Sequence, residues 1–418
     1  MNKPKIRFKG FDDEWEFSPV GNDIDLRRGL TYSPTNICAK GYGVLVLRSS
    51  NINIDTYVNN DDDVFVSESA INIPFINEGD LLFTAANGSS RLVGKHCVVG
   101  KLTHKTVHGG FMLAGKSKDP FFSHAWLSAP WYLQALPSFI SGGNGALGNL
   151  KPNELLNAKL PYPQDFNERK IIGNYFRQLD EMIAEAEREV NRLEKMKQAS
   201  LQKMFPRPGA ATPEIRFAGF SEPWVIGKLS DLLEIDDNRN SNNLLGREDV
   251  LSVSGEFGLV NQIEFQGRSF AGTSLHNYKI THIGQVIYTK SPLKAQPFGI
   301  VKSNQYGDGL LSPLYAVYNP INNACADFIH YYFAPVARLN NYLRPLINKG
   351  AKNTILISDE TALQGEMAYP IDVKEQFYIA QYFRNIDELI SAKRQKLAKL
   401  RNIKQACLDK MFVNTFEL

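Results

Sequence analysis

Few residues in this 418-residue chain have the types and spacings that bond-making chemistry needs. Gly143-Asn144-Gly145-Ala146-Leu147-Gly148 has the letters of G-x-G-x-x-G. That turn cradles a dinucleotide only where a strand leads in and a helix begins within it. Here Asn149-Leu150-Lys151-Pro152 follows, and the segment reads as a loop. Asp119-Pro120-Phe121-Phe122 approaches a tetrapeptide with which adenine methyltransferases hold a target amine, but it lacks the second proline and no glycine motif for a cofactor precedes it. No G-x-x-x-x-G-K-[ST] phosphate loop occurs. The histidines give no support for a helical metal site, and His124 and His330 read as packing or capping residues at equivalent places. Cys38, Cys97, Cys325 and Cys407 lie far apart without a C-x-x-C pair, which fits reduced thiols better than a disulfide framework or zinc. The chain reads as non-catalytic, with no metal or cofactor of its own.

What remains is polar chemistry at strand ends. Arg and Lys suit phosphates and guanine edges, Asn and Gln suit adenine, and Ser and Thr suit either. The candidate DNA-contacting residues in the first half are Arg48, Ser49, Asn51, Asn87, Arg91, Lys95, Lys116 and Lys118. In the second half they are Arg247, Ser252, Ser254, Lys290, Lys294, Lys302, Lys349 and Lys352. Arg48 and Arg91 rank first, because a guanidinium can make bidentate base contacts and each follows or flanks a predicted strand.

The elements that must position these side chains come in duplicate. Tyr175-Phe176-Arg177-Gln178-Leu179-Asp180-Glu181-Met182-Ile183 is answered by Tyr382-Phe383-Arg384-Asn385-Ile386-Asp387-Glu388-Leu389-Ile390, an offset of 207 (382 minus 175) that still holds at Lys203-Met204-Phe205 and Lys410-Met411-Phe412. Pro4-Lys5-Ile6-Arg7-Phe8-Lys9-Gly10-Phe11 is answered by Pro213-Glu214-Ile215-Arg216-Phe217-Ala218-Gly219-Phe220, and Trp15 by Trp224. A repeat on this scale decides the architecture. A chain this long also exceeds one ordinary core.

Between each opening and each long helix lie about 150 residues rich in β-branched and aromatic types, broken by Gly, Asn, Asp and Pro, which predicts strand and loop. Gly41–Arg48 and Asp249–Ser254 are predicted strands, as are Gly79–Thr84 and Gly284–Thr289, each running into a polar loop. Short helices are predicted over Ala125–Gln134 and Ala324–Phe333. Pro161-Tyr162-Pro163 and Tyr369-Pro370 break the chain before the long helices.

Those helices carry heptad seams. The first has Ile172, Phe176, Leu179, Ile183, Ala186, Val190 and Leu193, extended by Met196 and Met204. The second has Ile379, Phe383, Ile386, Ile390, Leu397, Leu400, Ile403, Cys407 and Met411. The first is acidic early (Asp180, Glu181, Glu185, Glu187, Glu189) and the second basic late (Lys393, Arg394, Lys396, Lys399, Arg401, Lys404), so an antiparallel pairing is expected.

Hydrophobic content of 43%, charge content of 22% and a formal net charge of +3 describe an ordinary globular chain. No run approaches the roughly 18 apolar residues of a membrane span. Met1-Asn2-Lys3-Pro4-Lys5 leads into no apolar stretch, so a cytoplasmic protein without a signal peptide or membrane segment is expected.

Two β-rich modules, each opening on P-x-I-R-F-x-G-F and closing on a Y-F-R-x-[LI]-D-E-[ML]-I helix that ends in K-M-F, resemble the specificity (S) subunit of type I restriction–modification systems over the whole chain. The resemblance implies an α+β fold. Two tandem β-rich target recognition domains (1–165 and 207–373) would be separated by two long spacer helices (166–206 and 374–418), packed as an antiparallel coiled coil with a pseudo-two-fold internal repeat. It implies double-stranded DNA as ligand, each module reading half of a bipartite asymmetric site. Two methyltransferase subunits would bring S-adenosylmethionine, and restriction subunits would use ATP and Mg. A coiled-coil adaptor that assembles a DNA-modifying complex without reading sequence is the alternative, and a nuclease or methyltransferase is disfavoured by the missing motifs.

Overall fold

The computed structural model describes residues 2–142, 148–290, 296–349 and 355–415. It forms two compact units, Met1–Arg188 with Arg394–Leu418, and Glu189–Lys393.

The first unit is built on a four-stranded antiparallel sheet in the order His96–Val98, Leu81–Thr84, Met112–Ser117, Ile24–Arg28. Gly79 enters its central strand at φ 87, a conformation open to glycine but strained for a residue with a Cβ. Leu81 to Thr84 are all buried, although side chains alternate between the two faces of a strand. Leu81 and Phe83 pack with Phe122 and Trp126 of the helix that follows Met112–Ser117. Leu82 points the other way, packing with Leu45, Leu47 and Phe65 of a second sheet. Covered on both faces, the strand reads as an unbroken apolar run. In the second sheet Thr106–His108 runs parallel to Val44–Leu47, which pairs in turn with Val64–Val66.

The second unit repeats the first sheet: Val301–Ser303, Val286–Tyr288, Ala316–Pro320, Leu233–Ile235. Val286 and Tyr288 join the helix-side core, and Ile287 joins Leu251, Leu259 and Leu311 on the opposite face. The second sheet is not repeated as such. Leu251–Ser254 forms a hairpin with Gly258–Asn261, while Lys279–Thr281 pairs with Gly309–Leu311; a single parallel bridge, Val250 to Leu310, links the two ladders.

The single helix expected at Ala125–Gln134 is two, Pro120–Leu127 and Pro130–Phe139. Pro120 and Pro130 each take a first helical position, where the missing N–H has no intrahelical partner to lose. Ala326–Phe333 and Val336–Leu343 stand in the same relation in the second unit.

The long helices are Phe166–Lys203 and Val373–Met411. Within the first unit their contacts run antiparallel. The Tyr175 hydroxyl lies 3.3 Å from Sγ of Cys407, Asp180 pairs with Lys404 at 2.6 Å, and Glu187 pairs with Arg401 at 2.6 Å. The second unit holds the equivalents of the first two, Tyr382 with Ser200 at 3.0 Å and Asp387 with Lys197 at 2.5 Å, and pairs Lys393 with Glu189 at 2.8 Å. Ile172, Phe176, Leu179, Val190, Ile379, Phe383, Ile386, Ile390 and Leu400 are buried; Ile183, Leu193 and Leu397 are half-buried.

Met196 and Ile403 correct the expected seam, being 40% and 37% exposed. An α-helix at 3.6 residues per turn drifts out of a strict heptad. One position further on, Lys404 is 9% exposed and Lys197 half-buried. The seam there is a buried lysine bonded to the aspartate of the Y-F-R-x-x-D-E motif on the other helix.

The repeated openings form a clasp. Arg7 grips Glu168 of the first long helix through Nε at 2.6 Å and Nη2 at 2.9 Å, and the Trp15 indole N–H donates to the same carboxylate at 3.4 Å. The Ile6 N–H donates to the Lys410 carbonyl, so one short segment holds the start of one helix and the end of the other. Arg216, Trp224 and Glu375 repeat the clasp at 2.6, 2.8 and 3.3 Å, with Ile215 donating to Lys203. Glu168 and Glu375 are both sealed from water, at 1% and 0% exposure.

Candidate nucleic-acid interface

In the first unit the end of Val44–Leu47 and the strand Ala86–Asn87 border a groove of about 770 Å³. Its floor and walls are Leu30, Tyr32, Ile37, Ala86, Phe111 and Met112, and Arg48, Ser49 and Asn87 supply polar atoms. Three residues proposed from sequence thus share one concavity. Among the described residues no carboxylate lines it.

Each is held by its neighbours. The Arg48 guanidinium donates to the Asp62 carbonyl at 2.8 Å and to its carboxylate at 3.2 Å. The Asn87 side-chain N–H donates to Ser49 Oγ at 3.3 Å, while its Oδ1 accepts the Ser89 N–H at 2.9 Å. The Phe111 carbonyl accepts the N–H groups of Ala85 and Ala86, which sets that ring beside the Asn87 strand, and the ring is 65% exposed.

Other candidates fall elsewhere. Asn51 is fully buried, its amide spent on the Arg48 N–H, the Val58 carbonyl and Asp63, so it shapes the Arg48 loop from within and presents no free edge. Arg91 is exposed on the short helix Ser90–Leu92, and Lys95 is half-buried in the turn beyond. Lys116 and Lys118 are exposed near the end of Met112–Ser117 opposite to the groove.

In the second unit Arg247 is exposed and donates to the Gly272 carbonyl at 3.2 Å. Ser252 accepts from Gln262, and Ser254 accepts the Glu256 and Phe257 N–H groups, closing the Leu251–Asn261 hairpin. Lys290 is paired with Asp359. Lys302 lies 3.1 Å from Nε2 of His330, and burial pushes its pKa down to about 8. Both lysines are engaged within the fold. Lys294 and Lys352 lie outside the described residues, as do 143–147 of the glycine-rich loop; the Lys349 side chain is likewise not described.

His96, His108, His124 and His330 are buried within the fold. His96 and His124 meet at 3.0 Å between their Nδ1 atoms, and burial lowers the pKa of both, that of His96 to about 4. His104 and His108 are four residues apart, a helical metal spacing, but His108 ends a strand and bonds to the Arg27 carbonyl. Among the described residues no group of three metal-ligating side chains is placed to hold an ion, and no helix is long and apolar enough to cross a membrane. Sequence reasoning missed Tyr32 and Phe111, because nothing marks an aromatic residue as exposed before the fold is known.

These features define a class: a duplicated α+β chain whose sheet-based modules are clasped to paired long helices. The S subunit of a type I restriction-modification system from M. genitalium shares that fold at a TM-score of 0.60 and 12% identity, over 99% of this chain and 100% of its own. This chain therefore shares the fold of that S subunit over nearly its whole length. A chain from a study of assembly and conformational transition in the type I R-M system aligns at TM-score 0.43, 16% identity, covering 95% of this chain and 97% of its own. The HsdS subunit of Thermoanaerobacter tengcongensis aligns at 0.38 and 16%, covering 95% and 96%. No protein-family model and no curated protein sequence matches the chain.

Proposed function

We propose that this chain is the DNA sequence-specificity subunit of a type I restriction–modification complex. One observation carries the reading: the chain builds one scaffold twice, with the same central sheet and the same Arg–Glu–Trp clasp, and puts different loops at the strand ends. Residues 1–165 and 207–373 are the two target recognition domains, each reading half of a bipartite, asymmetric duplex site. Residues 166–206 and 374–418 form an antiparallel spacer that sets the distance between half-sites. Linking two readers raises the effective concentration of the second once the first is bound. A rigid spacer makes half-site separation a geometric property.

The chain positions and does not catalyse. Two methyltransferase subunits seat on it in the cytoplasm, bringing S-adenosylmethionine, and restriction subunits bring ATP- and Mg-dependent cleavage. The partner must extrude its adenine from the duplex to reach it.

The test is to exchange residues 213–367 for the corresponding module of another such subunit and map methylated sites in a host carrying the complex. One half of the site is expected to change completely and the other not at all. Both halves changed, or neither, overturns the modular reading.

A further inference from the structure

The Asn87 amide carries more information than a generic polar contact. A side-chain amide has two N–H donors and two acceptor lone pairs. The backbone N–H of Ser89 can only donate, which fixes Oδ1 toward it and turns Nδ2 toward Ser49. Among the described residues, two of the four bonding positions are thus used to lock the amide, and one donor and one acceptor remain. Adenine presents the complement in the major groove, the N7 acceptor beside the N6 donor. Beside Asn87 stands the exposed Phe111 ring, with Met112 and Ile37 on the same groove, and the base opposite adenine presents the thymine methyl. Arg48 stands at its edge, paired with Asp62, and among the described residues no carboxylate lines the groove, so its lining adds no negative charge against a polyanion.

We propose that this groove reads a single A·T pair from the major groove, Asn87 bonding adenine N7 and N6 and the Phe111 ring covering the thymine methyl. Ser49 is a positioning residue that holds the Asn87 amide. The assignment rests on the DNA-reading function proposed above and names the base pair and the side chains for one module.

The test uses the full chain assembled with its methyltransferase partners. Preferred duplexes are selected from a randomised pool. Each adenine of a selected site is then replaced in turn by 7-deazaadenine, which lacks the N7 acceptor, and each thymine by uracil, which lacks the methyl. Wild type is expected to lose about tenfold in affinity at one 7-deazaadenine position, the scale of a bidentate base contact. Uracil in place of that adenine's partner is expected to cost roughly fourfold, the scale of one buried methyl-sized group. Asn87→Ala should bind the unmodified site about tenfold more weakly and become indifferent to 7-deazaadenine there. Phe111→Ala should become indifferent to uracil while keeping its sensitivity to 7-deazaadenine. An Asn87→Ala chain that weakens all duplexes alike, or keeps the full 7-deazaadenine effect, overturns the assignment and leaves the reader function standing. A wild-type assembly with no preference in the pool overturns both.

Discussion

The two units make the same joint out of opposite residues. In the first, Asp80 closes the turn before the central strand by accepting the Asn77 N–H at 3.0 Å, and Arg27 of the edge strand pairs with it at 2.9 Å. In the second, Gln285 closes the corresponding turn by accepting the His282 N–H at 2.7 Å, and its amide donates to Asp236 at 2.6 Å. The offsets of 205 (285 minus 80) and 209 (236 minus 27) are those of Gly79 to Gly284 and of Pro4 to Pro213. Acid on the turn with cation beside it has become amide on the turn with acid beside it. The fold requires a satisfied hydrogen bond at a buried turn and is indifferent to which side carries the charge. Cys97 and Lys302 show the same freedom: they are equivalent strand residues (302 minus 97 is 205), the first a buried thiol and the second a lysine against His330.

What does not vary is the attachment to the long helices, and cutting it is expected to cost both units alike. Phe412 touches Trp15, Phe122 and Phe176; Phe205 touches Trp224, Phe328 and Phe383. Phe412→Ala and Phe205→Ala are each expected to cost about 4 kcal/mol, the scale of emptying an aromatic site in a core. Denaturant unfolding monitored by tryptophan fluorescence checks this, and a loss in one unit without its counterpart would show that the K-M-F repeat is not one structural device. Next in size, Glu168→Ala or Glu375→Ala strands a guanidinium and an indole N–H against a sealed site, for about 3 kcal/mol each. The same titrations should give the pair similar losses. A near-neutral result at either would place the stabilisation elsewhere in the clasp.

Much of this was legible in the residues. The duplication, the strands ahead of polar loops, the long helices and their charge complementarity followed from spacing and periodicity, and Asp180–Lys404, Glu187–Arg401 and Glu189–Lys393 are the ion pairs that complementarity predicts. The failures have physical causes. Hydrophobicity put Ile403 and Met196 on the seam, whereas the lysine beside each is the inward residue, because a partner aspartate compensates its burial. Asn51 and Lys302 carry types suited to a ligand but are spent inside the fold. The groove was half legible: Arg48, Ser49 and Asn87 announce themselves by type, but only the backbone bonds of Ala85 and Ala86 bring Phe111 beside them.

The smallest expected effects distinguish the units by the sign of a pH dependence. Asp180 is pushed up to about 6, chiefly by burial, with Lys404 working against the shift. A carboxyl raised above its unfolded value near 4 favours the folded state while protonated. The contribution is present at low pH and lost as pH rises from about 4 through about 6. Lys302 is pushed down to about 8, again chiefly by burial, from an unfolded value near 10.4. Its charged form is penalised in the fold, so the penalty is full below about 8 and relieved as pH rises toward 10. Comparing each variant with wild type cancels the titrations that do not interact with the replaced group; Lys404, Asp55 and His124 face Asp180, and His330 faces Lys302, so the differences include their response. The stability of wild type minus Asp180→Asn is expected to fall between pH 4 and 6, and that of wild type minus Lys302→Met to rise between pH 8 and 10. Each change is on the order of 1 kcal/mol after allowance for partial exposure. Opposite slopes in the two windows would mean that burial acts with opposite sign on stability at these two non-equivalent sites, an acid in the first unit and a lysine in the second. A flat difference in either window would mean that the group there titrates as it does in the unfolded chain.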